Sequence, residues 1–157
     1  MTSQFIENPD PQDISCRQLR DFLSIWHRLK AEVGLPARRH FTFQLLKMHL
    51  PNIVIVDYLA DTKRFRVSLT GTNYTEMLGQ EVKGWYVDEL TGIGELLERC
   101  RHLVKTKTPY LAVDNSLEWI GRGYKYYTTV ALPLFDEAGS VNKILFCLSF
   151  DDAYGNV

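Results

Sequence analysis

Three groups of residues have types and spacings that could do chemistry. The stretch "GTNYTEMLGQEVKGW" at 71–85 spaces Gly71, Gly79 and Gly84 through polar and aromatic residues, as a phosphate-cradling loop would. Such a loop needs its glycines around a Lys-Ser/Thr pair at a helix N-terminus. Here Gly79 leads into Gln80-Glu81, whose carboxylate repels phosphate, so the glycines read as backbone devices. Gly71 marks a strand exit, Gly79 caps a short helix over "NYTEML", and Gly84 turns the chain before Trp85.

The second group is "ERCRHL", with the Cys100 thiol and the His102 imidazole. At about 100° per residue, Cys100 joins the apolar stripe of Ile93, Leu96, Leu97 and Val104, whereas His102 lies about 200° from its centre. Cys100 then reads as a core thiol and His102 as a surface imidazole. The third group is Asp57 and His49, types that could pair as acid and base. Nothing in the sequence places them together, and no nucleophile elbow or His-Asp-Ser ordering accompanies them. Asp57 is expected to bond nearby backbone or Arg66. His27, His40 and His49 each stand apart from a second ligand at metal spacing, so no metal site is expected.

The elements that would position these groups are a mixture of helices and strands. Leu19, Phe22, Leu23, Trp26, Leu29 and Val33 recur at three- and four-residue intervals, which predicts an amphipathic helix over 17–33, stopped by Gly34. Thr42 caps a second, shorter helix that closes before Pro51. "NIVIVDYLA" (52–60) and "RFRVSL" (64–69) read as two antiparallel strands joined by a hairpin. A helix over 91–106 ends at Pro109, and three strands follow at 110–119, 123–135 and 140–151, separated by "IGRG" and "DEAG" turns. This order predicts an α+β fold: a five-stranded antiparallel sheet with helices on one face. The strand at 123–135 is apolar on both faces, so the helix at 17–33 is expected to cover the second face.

Bulk composition narrows the function classes. A chain of 157 residues with 45% hydrophobic content has room for one domain and its core. Eighteen basic and nineteen acidic residues give a net charge of -1 without a run of either sign, which argues against a nucleic-acid partner. Three scattered cysteines suit a reduced cytoplasmic protein, and no segment approaches the ~20 apolar residues of a membrane span. Residues 1–14 are expected to be a flexible lead, 15–50 a helical extension, 51–151 the main domain and 152–157 a tail.

The succession resembles the PAS fold, and more narrowly a bacterial PAS family with an N-terminal helical extension. "WHRLK" (26–30), "LPARRHF" (35–41), "LLKMHLPNIVIVD" (45–57), "RFRVSLTGT" (64–72) and "LGQEVKGWYVDEL" (78–90) carry the narrower resemblance. "ALPLFDEAG" (131–139) is similar to the hairpin before the last PAS strand. The resemblance implies a sensory or protein-interaction module of signalling, with a cavity between sheet and helices for a small molecule. The pocket lining it implies is Tyr74, Leu78, Trp85, Leu97, Cys100, Tyr127 and Thr129. It also implies a homodimer, for which Leu19, Phe22, Trp26 and Leu29 are the interface candidates, and a separate signalling partner. No particular cofactor is indicated. Light-sensing PAS domains place a Cys beside flavin in an Asn-Cys-Arg type motif, and "ERCRHL" lacks the Asn. Haem-binding ones use a His from the helix on which His102 points away. The other readings are a haem- or flavin-loaded sensor and a small isomerase or dehydratase on a curved sheet. Which strand residues face inward stays open, because a one-residue slip reverses the face.

Overall fold

The computed structural model describes residues 4–90, 94–116 and 126–151. Its strands are β1 (Gln4–Glu7), β2 (Ile53–Leu59), β3 (Arg64–Thr70), β4 (Tyr110–Ser116), β5 (Tyr126–Phe135) and β6 (Val141–Asp151). Its α-helices are α1 (Arg17–Val33), α2 (Phe43–Leu46), α3 (Thr72–Leu78) and α4 (Gly94–Thr106). The strands form one antiparallel sheet in the order β1-β4-β5-β6-β2-β3.

The fold is the expected α+β layout with one strand more than the sequence predicts. Gln4–Glu7, expected to be part of a flexible lead, pairs with β4 and makes the sheet six-stranded. Four residues carry too short a pattern to read as a strand. What fixes them is tertiary, the β4 ladder and the Phe5 ring 5.0 Å from Tyr110. The "IGRG" turn and Ile93 lie outside the described residues. The second helix is also shorter than expected: the Thr42 hydroxyl accepts from Leu45 N–H at 3.4 Å, yet the α-helix ends at Leu46.

Alternation along the strands gives the sheet two faces. Val54 and Val56 of β2, Tyr127 and Thr129 of β5, and Phe146 and Leu148 of β6 share the inner face, towards α3 and α4. Ile53, Ile55, Val130, Leu132, Leu145 and Cys147 share the other and are all buried. That second face is covered by α1, whose stripe Leu19, Phe22, Leu23, Trp26 and Leu29 is buried as its spacing requires. Both layers therefore fill one chain's core. With Phe22 0% and Trp26 2% exposed, the residues expected at a dimer interface are consumed within a single chain.

Candidate functional site

A cavity lies between the inner sheet face and the helical wall. Its floor is Val54, Val56, Val67, Tyr127, Thr129, Phe146 and Leu148, and its wall is Tyr74, Met77 and Leu78 of α3, Val87, Leu90 and Leu96. The wall is built locally. Gly71 N–H donates to the Ile53 carbonyl at 2.7 Å as β3 ends, and Gly71 C=O starts α3 by accepting from Thr75 at 3.1 Å. Gly79 closes α3 in the left-handed region at φ 76°, the cap read from the sequence. Gly84 and Trp85 then hydrogen-bond along the edge of β3 at Val67, which delivers Val87 and Leu90 to the cavity. Arg64 fastens this segment from outside. Its guanidinium donates to both Asp88 carboxylate oxygens at 2.8 and 2.9 Å and stacks 3.5 Å over Tyr86.

Of the seven lining candidates, Tyr74, Leu78, Tyr127 and Thr129 border this cavity. Trp85, Leu97 and Cys100 are not among its lining residues. Trp85 is 40% exposed, because it is its backbone that pairs with β3. Cys100 is 0% exposed in the core beside Leu103, and burial pushes its thiol up to about 12. The apolar lining that sequence reasoning missed, Val54, Val56 and Val67 among it, follows from period-two alternation once the register is known.

Among the described residues the polar side chains that line the cavity are Tyr74, Tyr127 and Thr129. Burial pushes the Tyr127 phenol up to about 12 and raises Tyr74 further, with Tyr127 adding to the shift, so both stay protonated at neutral pH. Thr129 donates to the Cys147 carbonyl at 3.0 Å. Behind Tyr127, Arg99 donates to Asn115 Oδ1 at 2.6 Å and to Glu95 at 3.0 Å, and Asn115 donates to the Ala112 and Tyr127 carbonyls at 3.0 Å. Among the described residues the buried Tyr110 hydroxyl finds no hydrogen-bond partner.

The other candidate chemistry is dispersed. His102 sits half-exposed outside the cavity, with its Nε2 against the Glu7 carboxylate and its ring edge-on to Phe5. Asp57 lies on the face opposite Val56, 2.6 Å from Lys143 Nζ, and accepts from Ser68 at 3.1 Å. Arg66, its expected partner, is more distant at 3.9 Å. His49 packs edge-on against Phe22. Among the described residues, no three His, Cys, Asp or Glu side chains gather as a metal site.

The size of the cavity decides what it can hold. At about 50 Å³ it has room for about three to five waters at 10–15 Å³ each. Drug-sized ligands need about 300 Å³ or more. Neither flavin nor haem fits this space, and the residues that would serve them, Cys100 and His102, do not line it.

Comparison with known proteins agrees with this architecture. The family model of the PAS domain matches residues 14–149. The PAS domain of histidine kinase ThkA superposes with a TM-score of 0.50 at 13% identity, over 62% of this chain and 96% of that one. An RNA-binding Light-Oxygen-Voltage receptor superposes with a TM-score of 0.52 at 11% identity, over 74% of this chain and 35% of that one. At such identities the two structures speak for the fold alone. A search of curated protein sequences found no match. With most of its length covered by the family model, the chain belongs to the PAS domain family.

Proposed function

We propose that this chain is a sensory and interaction module of signalling that takes a small molecule into the cavity under α3 and relays its presence to a separate protein. The observation that carries the reading is the cavity itself, an apolar space in a PAS fold walled by the short helix α3 and the turn at Val87–Glu89. Such short elements can respond to an occupant more readily than the sheet behind them. The reading is non-enzymatic, since the acid and base types do not meet: Asp57 pairs with Lys143, and His49 packs on Phe22. It takes residues 15–50 as a helical extension on a core at 51–151, in a cytoplasmic protein. PAS domains commonly dimerise, so the reading extends to a homodimer. Its contacts would lie outside the α1 stripe, which the sheet already covers.

The test is a methyl NMR titration of the full chain with a library of molecules of up to about five heavy atoms, the size the cavity admits. At least one member should shift the methyls of Val54, Leu78 and Leu148 saturably, and the shifts should disappear in Leu78→Trp, which fills the space. A library that leaves these methyls unmoved in the wild type rejects the ligand-sensing reading.

A further inference from the structure

We infer that the cavity selects short apolar molecules of hydrocarbon character and rejects polar or charged molecules of the same shape. This rests on the ligand-sensing reading above and narrows it to a chemical class. Val54, Val56, Val67 and Leu148 border the space from the sheet, and Met77 and Leu78 from α3. Apart from Tyr74, Tyr127 and Thr129, every described lining residue has a side chain of carbon alone or, in Met77, of carbon and a thioether. Little of the surface that the lining offers to the space is polar.

Among the described residues no charged side chain lines the cavity. An ion entering it would leave water for apolar walls without a counter-charge, which is strongly unfavourable. Nor does a charge develop in the lining near neutral pH, because burial keeps the Tyr74 and Tyr127 phenols protonated. The Thr129 hydroxyl is already committed to the Cys147 carbonyl. A carbonyl or hydroxyl on a ligand therefore gives up its hydrogen bonds to water and meets mostly carbon in return. A hydrocarbon has no such bonds to lose, and the apolar area it removes from water drives its entry. Room for about three to five waters keeps the ligand short.

The experiment uses the full wild-type chain, methyl NMR and four probes: xenon under pressure, isobutene, acetone as its carbonyl analogue of the same shape, and acetate as the charged one. Xenon and isobutene should each shift the methyls of Val54, Leu78 and Leu148 saturably. They should also compete for those methyls, which locates both in the cavity without a variant that must fold. Acetone should bind there at least about tenfold more weakly than isobutene, the consequence of burying a carbonyl without a partner. Acetate should leave the three methyls unmoved. A smaller gap between acetone and isobutene, or acetate shifting these methyls, overturns the apolar class while leaving a ligand-binding cavity. A chain that responds to none of the four probes overturns the class and the ligand-sensing reading together.

Discussion

The indole Nε1 of Trp26 donates to the main-chain carbonyl of Pro133 across 2.9 Å, at the point where the sheet loses a strand. The β4–β5 ladder stops at Tyr110↔Ala131, while β5 continues to Phe135 paired only with β6. A proline inside a central strand would break a ladder. Pro133 sits just past the end of β4, where an N–H has no strand to meet. Its carbonyl is satisfied by α1 instead, and two residues on Phe135 N–H donates to the Pro36 carbonyl at 2.9 Å. The helical extension thus finishes the edge that β4 leaves open.

Trp26→Phe should therefore destabilise the chain by about 1–3 kcal/mol through the unpaired carbonyl, and Trp26→Ala by about 3–5 kcal/mol through the added loss of packing. Urea unfolding followed by circular dichroism measures both. Equal midpoints for wild type and Trp26→Phe would show that the bond to Pro133 contributes nothing.

That relationship also marks the boundary of what the sequence could disclose. The stripe from Leu19 to Leu29 reads as a helix because its 3.6-residue period survives any tertiary context, and the β2–β3 hairpin reads because a β-branched apolar run is followed, after a short turn, by the regular alternation of β3. The bond from Trp26 to Pro133 joins residues 107 apart, and no local pattern encodes it. The same holds for β1, whose four residues depend on β4, and for the bond from Arg99 to Asn115, which joins a helix to a strand 16 residues on. At the cavity, residue types were legible and faces were not. Tyr127 and Thr129 line it, whereas Leu97 and Trp85 miss it through helix rotation and strand pairing that only the assembled sheet defines.

His49 gives the chain a pH dependence whose sign is fixed by its burial. Desolvation lowers its pKa from 6.5, opposed in part by the charge of Asp21. The unfolded chain therefore binds the proton more readily than the folded one, so stability is full above the unfolded pKa and declines as pH falls below about 6.5. Unfolding midpoints in urea should be lower at pH 5 than at pH 7.5, and His49→Gln should flatten the difference over that window. An undiminished slope in His49→Gln would assign the effect to other groups.

Thiol labelling should separate the three cysteines by burial. Cys100 and Cys147 are buried and their thiols are pushed up to about 12, whereas Cys16, at the start of α1, is partly exposed. The thiolate is the reacting form. Iodoacetamide at pH 8 should alkylate Cys16 in the folded chain and reach the other two only in denaturant, as read by peptide mass spectrometry. Rapid native labelling of Cys100 would place it at a surface or an open cavity instead of the core.

Arg64 is expected to govern local opening of the cavity wall. Its bidentate bond to Asp88 and its stack on Tyr86 both need a planar guanidinium, which lysine does not supply. Both partners are exposed, so Arg64→Lys should leave the global unfolding midpoint almost unchanged. Amide hydrogen exchange should nonetheless accelerate over residues 86–90, the segment that carries Val87 and Leu90. Exchange there that is unaltered would mean that the backbone pairing of Gly84 and Trp85 with Val67 holds the wall unaided.

Gly71 and Gly84 are both glycines for backbone reasons, but the reasons differ and so do the expected losses. Gly84 has φ 92° with open space around a would-be Cβ, so Gly84→Ala meets only the left-handed strain of about 1–2 kcal/mol. Gly71 has an ordinary φ of -74°, yet a Cβ there would lie 2.3 Å from the Leu50 carbonyl oxygen and 2.4 Å from that of Pro51. The backbone cannot retreat, because Gly71 is held on one side by its N–H to Ile53 at 2.7 Å and on the other by its carbonyl to Thr75 at 3.1 Å. Relief requires breaking the junction of β3 with α3, the helix that brings Tyr74, Met77 and Leu78 to the cavity. Gly71→Ala should therefore cost about 3 kcal/mol or more, above Gly84→Ala, and should also shift the methyl resonances of Leu78 and Met77 in the folded fraction. Denaturant midpoints that fall equally for the two variants would remove the close contact as the reason for Gly71 and leave the start of α3 free to move.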